Sequence, residues 1–243
     1  MAFKLTYKPY GERAILIEWP QVIDTAILID ILDFKDKIRI SSIKSIIELK
    51  STYSSLLIIY NEYVINFKDE IASIDKIYSS NKIVVKNKAV LWYIPVCYEA
   101  VFGLDLELIS KDNNITTRDI IEHHSNAIYT VYFIGFLPGF LYLGGLDESL
   151  NIPRKATPRL HVKKGSVAIG GNQTGVYPNE SPGGWNIIGN TPINFFDISK
   201  EQPCFANPGD QIKFYPINLK AYQDIKTLVE ASVYQLESEV NHD

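Results

Sequence analysis

The spacing of apolar residues changes several times along the first third of the chain, and each change marks an element. Phe3, Leu5 and Tyr7 alternate with polar neighbours, and an apolar run over 14–17 follows Gly11. This predicts two short strands about a turn at 9–11. From 23 to 38 the residues Ile27, Leu28, Ile31, Leu32 and Phe34 recur near the helical period, with Asp24 placed to cap the first turn. Residues 43–49 and 55–60 are β-type runs rich in Ile and Leu, predicted to pair antiparallel across a turn at 50–53. Residues 66–78 return to helical spacing through Ile71, Ile74, Ile77 and Tyr78, and 82–93 reads as strand again.

That order, with its extra first strand, is a split βαβ unit of the ferredoxin-like kind. The polar break at 86–88 sets a boundary, giving an α+β domain over 1–87 and a second domain over 88–243. In the second domain 90–96 is a strand ending at Pro95, and 104–109 a short helical turn. Thr116, with Asp119 three residues on, marks the start of a helix that runs to His124. Beyond Tyr129 the β-like runs are short, with Gly/Pro turns about ten residues apart, as in a barrel or a sandwich. A turn at 207–210 precedes a strand over 211–215. Tyr222, Ile225, Leu228, Val229, Val233 and Leu236 predict an amphipathic helix over 220–236. The fold class expected is α+β, with a barrel or a sandwich in the second half.

Composition narrows the function classes. The chain has 243 residues, enough for one large domain or two ordinary ones. Its net charge is −4 and it has no basic stripe, which argues against a nucleic-acid surface. No apolar stretch approaches the roughly 18 residues that a membrane span needs, and the N-terminus has no apolar leader core, so the expected location is cytoplasmic. Cys97 and Cys204 show neither metal spacing nor a disulfide framework, and both read as buried thiols. No metal site is expected.

Most of the fourteen glycines, and many of the prolines, fall between Tyr129 and Asp197. Gly permits positive φ and close backbone approach, and Pro stiffens a loop, so this stretch reads as a set of rigid turns built to present something. Its blocks are GFLPGF (135–140) with YLGGL (142–146), PR at 153–154 and at 158–159, GSVAI (165–169), QTGVYP (173–178), and SPGGW (181–185) with IG at 188–189 and TP at 191–192. In this order they closely resemble the family that contains the B subunit of 5-oxoprolinase, the sporulation kinase inhibitor KipI and allophanate hydrolase subunit 1. Weaker likeness extends to 124–125 and 94–98. The resemblance implies a ferredoxin-like N-terminal domain and a cyclophilin-like β-barrel. It implies a role as the B subunit of an ATP-dependent 5-oxoprolinase that opens 5-oxo-L-proline to L-glutamate. The implied partners are the C subunit, a homologous barrel, and the A subunit, with ATP bound in the complex. The alternative it carries is inhibition of a sensor histidine kinase through a protein surface. An allophanate-type amidase ranks below both, because the chain has no Ser-Ser-Lys signature. Two positions depart from many relatives: Lys163 or Lys164 stands where they have Pro, and Asn190 where they have a basic residue.

Within that frame the candidate catalytic residues are His124, Arg154 and Arg159. Each arginine offers a planar fork for a carboxylate or phosphoryl group, or else an ion pair that organises its loop. His124 is either a proton carrier at the barrel mouth or a helix-end histidine. Gln173, Thr174, Tyr177 and Ser181 are candidate substrate-binding residues in Gly-rich turns whose N–H groups can also serve. Trp185 lies either over a ligand or in the barrel core. The GFLPGF block has no polar side chain and reads as a shape-making loop that lays Phe136, Phe140 and Tyr142 against the barrel or a partner. Ser166 lacks a nucleophile elbow and an ordered triad. Residues 170–175 lack the Gly-Lys-Ser/Thr of a phosphate-binding loop, so binding of a nucleotide by this chain alone is not expected.

Overall fold

A computed structural model describes residues 3–41, 43, 45–64, 66–80 and 88–240. Its contacts divide the chain into two units, residues 1–87 and 88–243. In the first, strands β1 (Thr6–Pro9), β2 (Ala14–Glu18), β3 (Ile46–Ser51) and β4 (Ser55–Tyr60) form one antiparallel sheet in the order β1-β2-β4-β3. Helices α1 (Thr25–Arg39) and α2 (Phe67–Tyr78) complete it. Their starts are set locally: the Asp24 side chain accepts from Ala26 N–H, and Asn66 accepts from the Lys68 and Asp69 N–H groups. Alternate residues Ile15, Ile17, Leu56 and Ile58 pack with Ile27, Ile31, Phe34 and Ile74 of the helices to make the core.

The sequence pattern predicts a closing strand over 82–93. Residues 81–87 lie outside the described ones, and the following strand, β5 (Val90–Cys97), pairs within the second unit. The edge beside β2 is held by β1. β5 also runs through Pro95, where the sequence pattern ends it. Tyr93 N–H donates to Glu237 O. N–H groups alternate sides along a strand, so the donor that Pro95 lacks would lie on that same side, beyond the last paired residue of the neighbouring strand.

The second unit adds α3 (Leu106–Asn113), α4 (Thr117–Asn126), β6 (Ile128–Ile134), β7 (Leu141–Gly144), β8 (Arg159–Val162), β9 (Ser166–Gly170), β10 (Gln173–Val176), β11 (Ser181–Gly183), β12 (Asn186–Asn190), β13 (Gln211–Ile217), α5 (Leu219–Glu230) and β14 (Ser238–Val240). Seven strands close into a barrel in the order β12-β9-β10-β7-β6-β13-β5, and the Asn190–Cys97 pairing of β12 with β5 makes the seam. β14 extends the sheet from β5, and β8 and β11 form a separate two-stranded ribbon. Mixed α+β architecture with a closed barrel is therefore what the chain adopts.

Alternation along the barrel strands separates two cores. Leu141, Leu143, Val167, Ile169, Val176 and Ile188 belong to the main interior. Their neighbours Phe140, Tyr142, Ala168, Tyr177 and Ile187 pack with Trp185 in a second cluster on the opposite face of the wall. β9 is buried on both faces in consequence.

Two helices differ from or match their patterns for visible reasons. α5 stops at Glu230, not at 236. Ser232 takes a left-handed φ of 59°, and the Val233 and Tyr234 N–H groups turn back to Leu228 O. Tyr234 and Leu236, which fit the helical period, instead pack on the barrel core from an extended segment. α4 starts with the expected reciprocal cap: Asp119 N–H donates to Thr116 Oγ1 at 3.1 Å, and Thr116 N–H donates to Asp119 Oδ2 at 3.1 Å. Thr116→Ala should lower stability by about 1 kcal/mol in urea unfolding, and Thr116→Ser should retain most of it; equal stability of the Ala variant would show that the cap contributes nothing.

Candidate functional site

The site is organised from a buried carboxylate. Asp105 occupies the N-cap position of α3, yet its side chain makes no cap bond. Its Oδ1 accepts from Arg159 Nη2 at 2.7 Å and from Lys155 Nζ at 2.9 Å, and its Oδ2 accepts from Ile187 N–H at 2.7 Å. Burial alone would raise the Asp105 pKa, but the hydrogen bonds from Arg159, Lys155 and Ile187 outweigh it and hold the carboxyl below its usual range. These bonds fasten the 153–159 segment to the barrel wall. Two more anchors flank Arg154: Asn186 Nδ2 donates to Pro153 O at 3.0 Å, and Lys155 N–H donates to Gly184 O at 2.7 Å.

Arg154 is thereby presented over the outer aromatic cluster. Its guanidinium carbon lies 5.6 Å from the centre of the Trp185 ring, a cation–π arrangement. Among the described residues no carboxylate pairs with it. Beneath lies a hollow of about 330 Å³, walled by Phe136, Phe140, Tyr142, Tyr177 and Trp185, with Arg154 and Lys155 among its lining. That volume falls at the small end of ligand pockets. Phe140 is the hub of the wall, edge-on to Trp185 at 5.5 Å and to Tyr177 at 5.5 Å, and tilted against Tyr142 at 5.0 Å. Gly170 and Gly183 are required here. A Cβ at 170 would lie 2.6 Å from the Trp185 indole, and one at 183 would run into the Tyr177 hydroxyl.

Electrostatics keep both tyrosines protonated. Burial raises the Tyr142 pKa, opposed in part by Arg154. Burial also raises that of Tyr177, opposed by a hydrogen bond from the Trp185 backbone and by Arg154. The hollow thus combines apolar ring faces, neutral phenols and an exposed guanidinium. It suits a compact ring bearing an anionic group.

Of the residues singled out in the sequence, the structure brings Arg154, Tyr177 and Trp185 together here. Trp185 is both buried and part of the wall. Arg159 does not line the hollow; it is held by Asp105, and its Nη1 is buried without a hydrogen-bond partner. Ser181 is buried and donates to Pro182 O at 3.2 Å. Gln173 begins β10 outside the hollow, and its Oε1 is buried without a partner. Thr174 is fully buried and points inward with Val176, so it offers nothing to a ligand. Its hydroxyl donates to Ala168 O at 3.1 Å and lies 2.9 Å from His124 Nε2.

His124 is likewise not at the barrel mouth. It is fully buried, stacked on Phe214 with ring centres 4.8 Å apart, and its Nδ1 lies 2.8 Å from the Tyr98 hydroxyl. Burial lowers its pKa from 6.5 to about 3, so it is a neutral structural group at physiological pH. Sequence reasoning leaves Lys155, Pro158 and Asp105 unassigned. A larger cleft, of about 690 Å³, lies beside α5, with Lys164, Lys200, Lys226, Asn194 and Tyr222 in its lining; none of the predicted site residues reaches it. Among the described residues no cluster of His, Cys, Asp and Glu suits a metal, and no helix is long and apolar enough to cross a membrane.

The family model described as carboxyltransferase domain, subdomain C and D, matches residues 5–206. The chain is 41% identical to the B subunit of 5-oxoprolinase from Bacillus subtilis over 159 residues, covering 65% of this chain and 63% of that one. It is 47% identical to the B subunit of 5-oxoprolinase from Escherichia coli O157:H7 over 123 residues, covering 51% of this chain and 56% of that one. The matched segment thus spans less than two thirds of either relative. Among solved structures, urea carboxylase of Kluyveromyces lactis superposes with a TM-score of 0.83 at 22% identity, over 98% of this chain and 24% of that one. At that identity the likeness speaks for the fold alone.

Two outcomes are expected. His124→Gln should flatten the acid side of the stability profile. A buried neutral imidazole binds no proton until about pH 3, whereas the unfolded one binds from about 6.5 downward, so its contribution is complete above 6.5 and lost as pH falls. Wild type should therefore lose up to about 1.4 kcal/mol per pH unit more than the variant between those values in urea unfolding; parallel profiles would refute the assignment. Asp105→Asn should cost roughly 2–3 kcal/mol, since it strips the charge from two anchored cations. An unfolding midpoint equal to wild type would mean that the 153–159 segment is held by other means.

Proposed function

This chain belongs to the carboxyltransferase domain, subdomain C and D family, and from that premise we propose that it serves as the B subunit of an ATP-dependent 5-oxoprolinase, opening 5-oxo-L-proline to L-glutamate with the A and C subunits. The observation that carries the reading is Arg154 over the aromatic hollow. The substrate is a small five-membered lactam with one carboxylate. Arg154 receives the carboxylate through its planar fork, and the faces of Phe140, Tyr142 and Trp185 receive the ring. The protonated Tyr142 supplies a hydroxyl donor at the same wall.

A lactam carbonyl is a poor electrophile. ATP supplies a phosphoryl group to its oxygen; one water then adds at the carbonyl carbon and the ring C–N bond breaks, with the amine taking a proton, to leave an acyl phosphate that a second water hydrolyses to the carboxylate and phosphate. Donors aimed at the developing negative charge would favour that step. In the 170–175 segment Gly171 N–H donates to Ile152 O at 2.7 Å and the Thr174 hydroxyl donates to Ala168 O at 3.1 Å. No step is assigned to a nucleotide on this chain; it belongs to the complex. In the same reading the two units are a ferredoxin-like and a cyclophilin-like domain with their boundary at 87–88, and the protein works in the cytoplasm. Inhibition of a sensor kinase draws no support from the relatives, both of which are named as the B subunit of 5-oxoprolinase.

Co-expression with the A and C subunits should give ATP hydrolysis that depends on 5-oxo-L-proline. Arg154→Ala should raise KM about tenfold or more, as expected for losing a charged pair, with a smaller rise for Arg154→Lys. Competent partners that show no 5-oxoproline-dependent hydrolysis with this chain would sink the reading.

A further inference from the structure

Phe136 is held in a backbone conformation that its own side chain disfavours. Its φ is +66°, an outlier for a bulky residue. Leu137 N–H donates to Gly135 O at 2.8 Å across it, which makes a three-residue γ-turn with positive φ at the centre, a rare and strained form. Two further bonds lock the turn: Gly135 N–H donates to Phe140 O at 3.1 Å, and Phe140 N–H donates to Leu137 O at 3.0 Å. Gly139 absorbs the return of the chain with φ +83°.

This strain leaves most of the side chain in solvent. The Phe136 ring is 62% exposed and belongs to neither core of the second unit. A single exposed aromatic is ordinary; an exposed aromatic on a locked, strained turn is not, because folding favours neither. The ring does have one fixed neighbour, Phe140, which it meets edge-on at 5.5 Å and 89°. It also lines the hollow beneath Arg154.

We propose that Phe136 is the specificity-determining residue of the hollow: the γ-turn holds its ring out as an outer wall that closes over a compact cyclic ligand whose carboxylate lies on Arg154. The buried walls are fixed by packing around Phe140, so they set the floor. Phe136 is the one exposed ring among the aromatic walls, so it sets the height between them and with it the ring size that fits. A five-membered ring lies under Phe136, while a larger ring is pushed out against it. The inference rests on the reading of the hollow as the oxoproline site.

The test uses the reconstituted complex of the full chain with the A and C subunits. Phe136→Gly removes the ring and the backbone strain together, since Gly adopts positive φ freely. The melting temperature of the chain should therefore hold or rise. KM for 5-oxo-L-proline should increase tenfold or more while kcat stays within twofold. The kcat/KM preference for 5-oxo-L-proline over its six-membered lactam homologue should fall at least tenfold, and Phe136→Tyr should restore it. If wild type turns over 5-oxoproline and Phe136→Gly leaves KM and the preference within twofold, the proposal is overturned and the site reading stands. A lower melting temperature with a parallel loss of kcat, and no change in preference, also overturns it by marking a structural role. A wild-type complex with no turnover, together with no saturation-transfer NMR signal between 5-oxo-L-proline and the isolated chain, overturns the site reading and this proposal with it.

Discussion

One carboxylate fixes where the cation over the aromatic hollow stands. Asp105 is 4% exposed and takes hydrogen bonds from two cationic side chains and a backbone amide. A buried charge without such partners would carry a desolvation penalty of several kcal/mol per ion, so the three donors and Asp105 must come together or not at all. The donors come from 155, 159 and 187, which are distant in sequence from 105. Meeting that requirement pins the 153–159 segment to the wall and leaves Arg154, between two anchored neighbours, facing the aromatic cluster. Lys155 and Arg159 neutralise Asp105, so Arg154 keeps its charge for whatever enters.

The barrel interior plays no part in this. Inward-facing residues make a tight apolar core in which His124, Thr174 and Tyr98 satisfy one another and stay neutral. Outward-facing residues of the same strands make the aromatic patch. Because strand residues alternate, one short sequence such as YLGGL or QTGVYP serves both faces, and each residue's task is set by its parity. A polar residue in a Gly-rich motif is therefore as readily a core partner as a ligand.

Parity explains what could be read from the sequence. Helix starts at Asp24, Asn66 and Thr116 and the antiparallel pair at 46–60 were legible because each depends on neighbours within a few residues. The rhythm of Gly/Pro turns narrowed the second half to a barrel or a sandwich, and the family resemblance chose the barrel. His124, Thr174 and Ser181 were misplaced because motif membership does not tell which face a residue takes. Arg159 stayed open between a ligand contact and a loop-organising ion pair because its partner is 54 residues away. The closing helix was drawn too long because an apolar residue after Ser232 fits a helical period equally well when it packs from an extended chain.

The parallel pairing of β5 with β13 has a consequence for synthesis. β5 is laid down early, yet its parallel neighbour β13 arrives much later; the bond from Val90 N–H to Asp210 Oδ1 joins residues 120 apart. While the ribosome is making the intervening stretch, β5 has no β13 to pair with and the Tyr129–Phe214 contact of the interior cannot form. Such late, non-local closure is slow and leaves apolar surface open to other chains. This second unit therefore stays open to non-native contacts on the nascent polypeptide until β13 has cleared the exit tunnel.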